Sequence, residues 1–205
     1  MIRLRASVFG ASLLAATLLA NSAEGACTYS VGENPIQVEW TAFKFTKKQG
    51  VTGTFNTTSL SGPREADSLT ALARGLSMEI DGTSIESNNP GRNVTISQFF
   101  FQIFAPSPNI VGRVVQVEGD DHSGKLDVAI SMNGTTRTVP FKYTISDRHE
   151  VEATAKIDMM DFALQKAFDS IHLACETQHT GEDGVSKTWT DVDLKLTGRF
   201  EESCD

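Results

Sequence analysis

LDVAISMNGTTRTVPF, from Leu126 to Phe141, is the stretch on which the fold turns. Leu126, Val128, Ile130 and Met132 alternate with Asp127, Ala129 and Ser131, and a period of two marks a strand buried on one face. Asn133-Gly134 follows, the pair that supplies the positive φ angles of a two-residue hairpin turn. Beyond it a second alternating run extends from Val139 to Ile145. The segment therefore predicts an antiparallel hairpin.

The same period recurs on both sides. Ile36, Val38 and Trp40 share one face of their run, as do Leu76, Met78 and Ile80 of theirs. Similar strands are expected at Val114 to Val117, Val151 to Ile157, Ile171 to Cys175 and Val192 to Phe200. Turn residues separate them, among them Lys48-Gln49-Gly50, Asp81-Gly82, Ser123-Gly124 and Glu182-Asp183-Gly184. About eight evenly spaced strands with few helical spacers predict an all-β fold, a meandering antiparallel barrel or a sandwich. Two segments break the pattern: Asn93 to Phe104, with Asn93 suited to an N-cap, and Asp161 to Phe168, with apolar residues at helical spacing and Asp161 as its cap. Half of the twelve phenylalanines fall in these two segments, as Phe99, Phe100, Phe101, Phe104, Phe162 and Phe168. Such a stripe reads either as a plug of ordinary core or as the wall of a tunnel for an apolar tail.

The ends set the expected compartment. Arg3 and Arg5 precede an apolar and small-residue run from Ala6 to Ala20, and a polar, small-residue stretch leads to Ala26. This predicts a secretory signal peptide over residues 1–25 and export to the periplasm, followed by one domain over residues 26–205. Glu24 argues against lipid anchoring at Cys27, and no later run approaches the length needed to span a bilayer, so stable membrane insertion is not expected. The formal net charge is −8, and losing Arg3 and Arg5 with the leader makes the remainder more acidic. Nucleic acid and anionic membrane surfaces, which are bound through clustered Lys and Arg, are disfavoured as primary partners. Two of Cys27, Cys175 and Cys204 are expected to pair in an oxidising compartment. The meeting of the two ends of a closed barrel favours Cys27 with Cys204, leaving Cys175 as a buried apolar residue.

An ordered set of motifs carries a family resemblance: VEWTAFKF (Val38 to Phe45), VTGTF (Val51 to Phe55), MEIDGTSIES (Met78 to Ser87), GRNVTISQFF (Gly91 to Phe100), LDVAISMNGTTRTVPF and KIDMMDFAL (Lys156 to Leu164). Together they resemble the YceI-like family of polyisoprenoid-binding, lipocalin-like periplasmic proteins, over roughly Ile36 to Phe200. The resemblance implies an eight-stranded antiparallel lipocalin-like barrel, closed by one or two short helices around a long apolar cavity. Its implied partner is a long-chain amphiphilic lipid such as an isoprenoid, quinone, fatty acid or fatty amide, with no cofactor. Val38, Trp40, Phe43, Phe45, Phe55, Met78, Ile80, Phe99, Phe100, Phe104, Phe141, Tyr143, Phe162 and Phe168 are the expected wall, with Arg92 at the mouth. The chain departs from the family at Arg92-Asn93, where Arg-Asp is usual, and at Glu39-Trp40, where His-Ser is usual. It departs again at Asp158-Met-Met-Asp161-Phe162-Ala163, where Asp-Arg-x-Asp-Phe-Gly is usual. The acidic balance favours a ligand head that is neutral or weakly polar over a diphosphate, which needs Arg, Lys or a metal.

Catalytic and metal readings are weaker. His172, Cys175 and His179 spell H-x-x-C-x-x-x-H, but on a strand His172 and Cys175 point to opposite faces, so no metal site is expected. Asp158 and Asp161 are the most plausible pair of acids for an enzyme acting on an exported lipid, though a strand end and a helix cap account for them. A stress-related interaction protein with a self-filled core is the third reading. Whether the barrel forms a homodimer is left open.

Overall fold

The computed structural model describes residues 26–32 and 36–204; the leader expected at residues 1–25 lies outside them. Along the chain come β1 (Cys27–Val31), β2 (Gln37–Lys44), β3 (Gln49–Phe55), β4 (Thr58–Ser61), β5 (Glu65–Ala66), α1 (Leu69–Ala73), β6 (Ser77–Asp81), β7 (Ile85–Glu86) and α2 (Pro90–Phe99). They are followed by β8 (Asn109–Gly119), β9 (Ser123–Met132), β10 (Thr135–Ile145), β11 (Glu150–Asp158), α3 (Gln165–Ala174), α4 (Glu176–His179) and β12 (Thr188–Cys204). Short 3-10 turns lie at Gly82–Ser84, Phe101–Ile103 and Met159–Phe162.

The strands pair antiparallel in the order β4-β6-β8-β9-β10-β11-β12-β2-β3-β7. That path closes on itself, because β3 and β4 are two halves of one interrupted strand, as are β6 and β7. Phe55 pairs with Ile85 and Thr58 with Ile80. Between them the backbone bonds Asn56 N–H to Ser84 O (2.9 Å) and Asp81 N–H to Thr57 O (3.1 Å) carry the seam. The twelve strand segments thus make a lipocalin-like barrel of eight members, with β1 and β5 outside the ring. The interruption falls at Gly82–Ser84, where Asp81 accepts from the backbone N–H of Thr83 at 2.9 Å and turns the chain.

The hairpin at Asn133-Gly134 forms as its sequence predicts: φ is 50° and 70° at the two turn residues, and Met132 faces Thr135. The expected strand at Val114 to Val117 is the middle of β8, and a register shift between Val114 and Gln116 changes its phase. Val114 and Val117 both turn inward while Val115 is left 50 % exposed.

Three local expectations are corrected. Ile171 to Cys175 is the end of a helix, not a strand. In a window this short, alternation and helical spacing both fit; Ala167 and Ile171 bury one helical face while Leu173 is 73 % exposed. Asn93 does not cap its helix. Asn89 does, accepting from the Arg92 N–H, with Pro90 in the first turn, a position where a missing N–H costs nothing. Asp161 does not cap either; Asp158 accepts from the Met160 N–H at 2.8 Å, and its other oxygen accepts from the Thr190 hydroxyl at 2.9 Å.

Strand direction places the two helical connections, β7 to β8 through α2 and β11 to β12 through α3 and α4, at the same end as the β2–β3 and β9–β10 turns. This upper end is roofed by helices. At the lower end α1 buries Leu69 and Leu72 against Phe200. There β1 lies along β12, and Cys27 faces Cys204 in a disulfide.

Candidate functional site

Inside the ring the inward side chains do not meet. They leave an apolar cavity of about 720 Å³, within the range of roughly 300–1,000 Å³ that houses small ligands. It runs from Leu69 and Phe200 at the lower end to Arg92, Thr95 and His179 at the upper end.

The walls follow from the period-two pattern. Val38, Trp40 and Ala42 of β2, Val128, Ile130 and Met132 of β9, Phe141 and Tyr143 of β10, and Val192, Leu194 and Leu196 of β12 all face the cavity. Trp40 fits because residue 53 is glycine: a Cβ there would collide with the indole ring and with the Glu86 carbonyl. The opposite face of β12 is polar, and Asp191 takes ion pairs from Lys48 (2.7 Å) and Lys156 (3.1 Å). Burial pushes the Asp191 carboxyl up, but those two lysines outweigh it and leave its pKa lowered.

Of the residues expected at the site, Val38, Trp40, Phe43, Phe55, Met78, Ile80, Arg92, Phe100, Phe141 and Tyr143 line the cavity. Phe45, Phe99, Phe104, Phe162 and Phe168 lie outside its lining. Phe45 sits in the β2–β3 turn with φ of 62°, and its carbonyl accepts from the Trp189 indole at 2.8 Å. Phe99 is 42 % exposed on the outer face of α2. Phe104 and Phe162 are packed in the core, and Phe168 stacks on His172 with ring centroids 6.1 Å apart. The aromatic stripe is therefore both plug and wall. Phe100, Phe101 and Phe104 contact one another at 5.1–5.3 Å, and only the first two reach the cavity. Ala42, Val51, Leu126, Val128, Ile130 and Met132 were not among the expected wall residues but line the cavity, as do Val192, Leu194 and Leu196 on the inward face of β12. The alternation that made their strands legible was the signal.

Polar groups are few and mostly committed to the protein. Arg92 donates from Nε to Ser87 Oγ (2.9 Å) and from Nη2 to Ser87 O (2.6 Å), and Asn93 Oδ1 accepts from the same residue's N–H. Ser87 is only 3 % exposed, so this clamp fixes the start of α2. Tyr143 donates to Asp120 O at 2.7 Å, and burial raises its pKa. Ser77 and Thr95 donate to the carbonyls of Gly112 and Gly91.

His172, Cys175 and His179 belong to α3, its cap and α4, where spacings of three and four put side chains on one face. The expected opposition of His172 and Cys175 across a strand is thereby overturned. Nδ1 of His172 and of His179 both meet Thr188 Oγ1, at 2.9 and 2.7 Å. Burial, with Lys44 and His172 alongside, holds His179 down to about 4; burial pushes the Cys175 thiol up, against the pull of Lys44. Among the described residues, the one set of three potential metal donors within mutual reach is Cys27, Glu202 and Cys204, and its two sulfurs are bonded to each other.

The fold is similar to that of a polyisoprenoid-binding domain from Saccharophagus degradans implicated in plant cell wall breakdown, at 13 % identity and a TM-score of 0.59. The match covers 87 % of this chain and 99 % of that one. Burkholderia cenocepacia BcnA matches at 15 % identity and 0.56, covering 81 % and 96 % of the two chains. A Campylobacter jejuni YceI protein matches at 18 % and 0.52, covering 77 % and 86 %. At these identities the likeness is one of fold. No curated protein matches the sequence significantly. The family model described as the YceI-like domain, however, matches residues 29–200, which is nearly all of the barrel, and the chain belongs to the YceI-like domain family.

Proposed function

We propose that this protein is a carrier or store for a long-chain apolar lipid, held in the barrel cavity without chemical change. The observation that carries this reading is the continuous apolar channel from α1 to α2, about 720 Å³ in volume, inside a barrel of a lipid-binding fold family. A self-filled core would not leave that space. Of the acids considered for catalysis, Asp158 caps the turn after β11 and Asp161 is exposed beside it. The leader expected at residues 1–25 supports placing the carrier in the periplasm; no described helix is long and apolar enough to cross a membrane.

Affinity in such a site comes from desolvating the tail. Each buried methylene contributes about 0.8 kcal/mol, or roughly a fourfold change in Kd, until the cavity is full. Native mass spectrometry before and after organic extraction, on protein exported by a bacterial host and purified without detergent, tests the reading. A discrete added mass of a few hundred daltons that extraction removes supports it. A clean apo mass that takes up no quinone, fatty amide, fatty acid or isoprenoid overturns it.

A further inference from the structure

Building on the carrier reading, we propose that the ligand head is a carboxylate, bound at the upper end of the cavity by Lys44 and the Nε2 edge of His179, beside Gln178. The assignment comes from following every polar side chain that faces the cavity to its partner. Ser77, Thr95 and Tyr143 donate to backbone carbonyls, as do the indoles of Trp40 and Trp189. Thr70 meets Ser68 Oγ at 3.5 Å, Asn89 caps α2, and Arg92 is clamped on Ser87 through Nε and Nη2.

Arg92 keeps Nη1 without a partner among the described residues at the start of α2; three further groups are left at α4. The Lys44 ammonium makes one long bond, 3.4 Å to Gln178 O, and pairs with no carboxylate among the described residues. Its only other contact of note is the Phe45 ring, 4.7 Å away. The side-chain amide of Gln178 and Nε2 of His179 have no partner among the described residues. All three residues line the same end of the cavity. A cation and an amide facing an apolar chamber match an anionic acceptor, because a charge-assisted bond there replaces water that the tail excludes.

The histidine pair fits that role. Thr188 has one hydroxyl proton and meets two imidazoles. It donates to one ring and accepts from the other, so the two tautomers are tied together. When Thr188 donates to Nδ1 of His179 and accepts from His172, the proton of His179 sits on Nε2, free to donate. A carboxylate selects this arrangement. The head then sits where Lys44 is half-exposed, and the tail runs down past Trp40 and Phe141 to Leu69.

Palmitate and hexadecanol have equal tails and differ in the charge of the head, so their dissociation constants, measured by displacement of an apolar dye at neutral pH, isolate the head group. The intact protein is expected to prefer palmitate by about tenfold or more. In Lys44→Met that preference falls to near one, and Lys44→Arg restores it. Ring NMR of His179 supplies a second readout: palmitate raises its titration midpoint from about 4 and hexadecanol does not. Equal affinities for the two chains in the intact protein, or a preference that survives Lys44→Met, overturns the assignment. So does a preference abolished by Arg92→Met instead, which places the head at the start of α2. If neither chain binds, the carrier reading fails and the assignment with it.

Discussion

Ala163 adopts the left-handed region, with φ of 55° and ψ of 34°, as the cap of the turn after β11. A side chain there is disfavoured by about 1–2 kcal/mol, and glycine, which is usual in the family at this point, relieves that strain at some cost in chain entropy. Ala163→Gly is expected to raise stability by about 0.5–1 kcal/mol, read as a higher midpoint in urea. His179 gives a pH signature of the opposite sense. Its folded pKa is lowered, to about 4 from 6.5, so the unfolded chain binds the extra proton first. Stability from this group is complete above pH 6.5 and is lost as pH falls toward 4. The ring is half-exposed, so screening limits the loss to the order of 1 kcal/mol. His179→Gln should flatten the denaturation midpoint over that window. Neither residue announces its state in the sequence. Ala163 is noticeable only beside the family pattern, and the shift at His179 comes first from burial and then from Lys44, which is remote in the chain.

Asn133 joins three elements that are far apart in sequence. Besides forming the β9–β10 turn, its Oδ1 accepts from the Ala105 N–H at 3.0 Å. Its amide donates to the carbonyls of Ala163 (2.9 Å) and Phe162 (3.4 Å). Asn133→Gly keeps the turn geometry and deletes those ties, at an expected cost of about 1–2 kcal/mol. Hydrogen exchange should then quicken in the segments after α2 and before α3 while the hairpin itself stays protected; an unchanged exchange pattern contradicts the tie. At this scale the strands were legible because one face of each is buried, which imposes alternation except where a register shift resets it, as in β8. The helical roof was less so. Asn89 and Asn93, and Asp158 and Asp161, are equally good caps by residue type, and which one caps depends on where the preceding strand ends.

For the whole molecule, the cavity and the closed ring make separate predictions. Gly112 of β8 faces the cavity, and a Cβ added there meets only the Val128 methyl at 3.6 Å. Gly112→Phe fills the channel without displacing backbone. It should leave the unfolding midpoint unchanged or higher while weakening long-chain binding by about tenfold or more, since several methylenes lose their place; undiminished binding places the lipid elsewhere. The Cys27–Cys204 bond links residues 177 apart and holds β1 on β12. Replacing both cysteines by serine is expected to cost about 2–4 kcal/mol in urea unfolding. By itself the sequence determined the antiparallel strands, the Asn-Gly hairpin and the inward rows of Val, Ile, Leu and Phe, because a half-buried strand writes its burial into alternate positions. Tertiary structure alone decided the closure of β3–β4 on β6–β7, the division of the phenylalanines between plug and wall, and the convergence of Lys44, Gln178 and His179. Those depend on how segments from about 20 to more than 130 residues apart meet in space, and no local pattern of residues encodes a meeting of that kind.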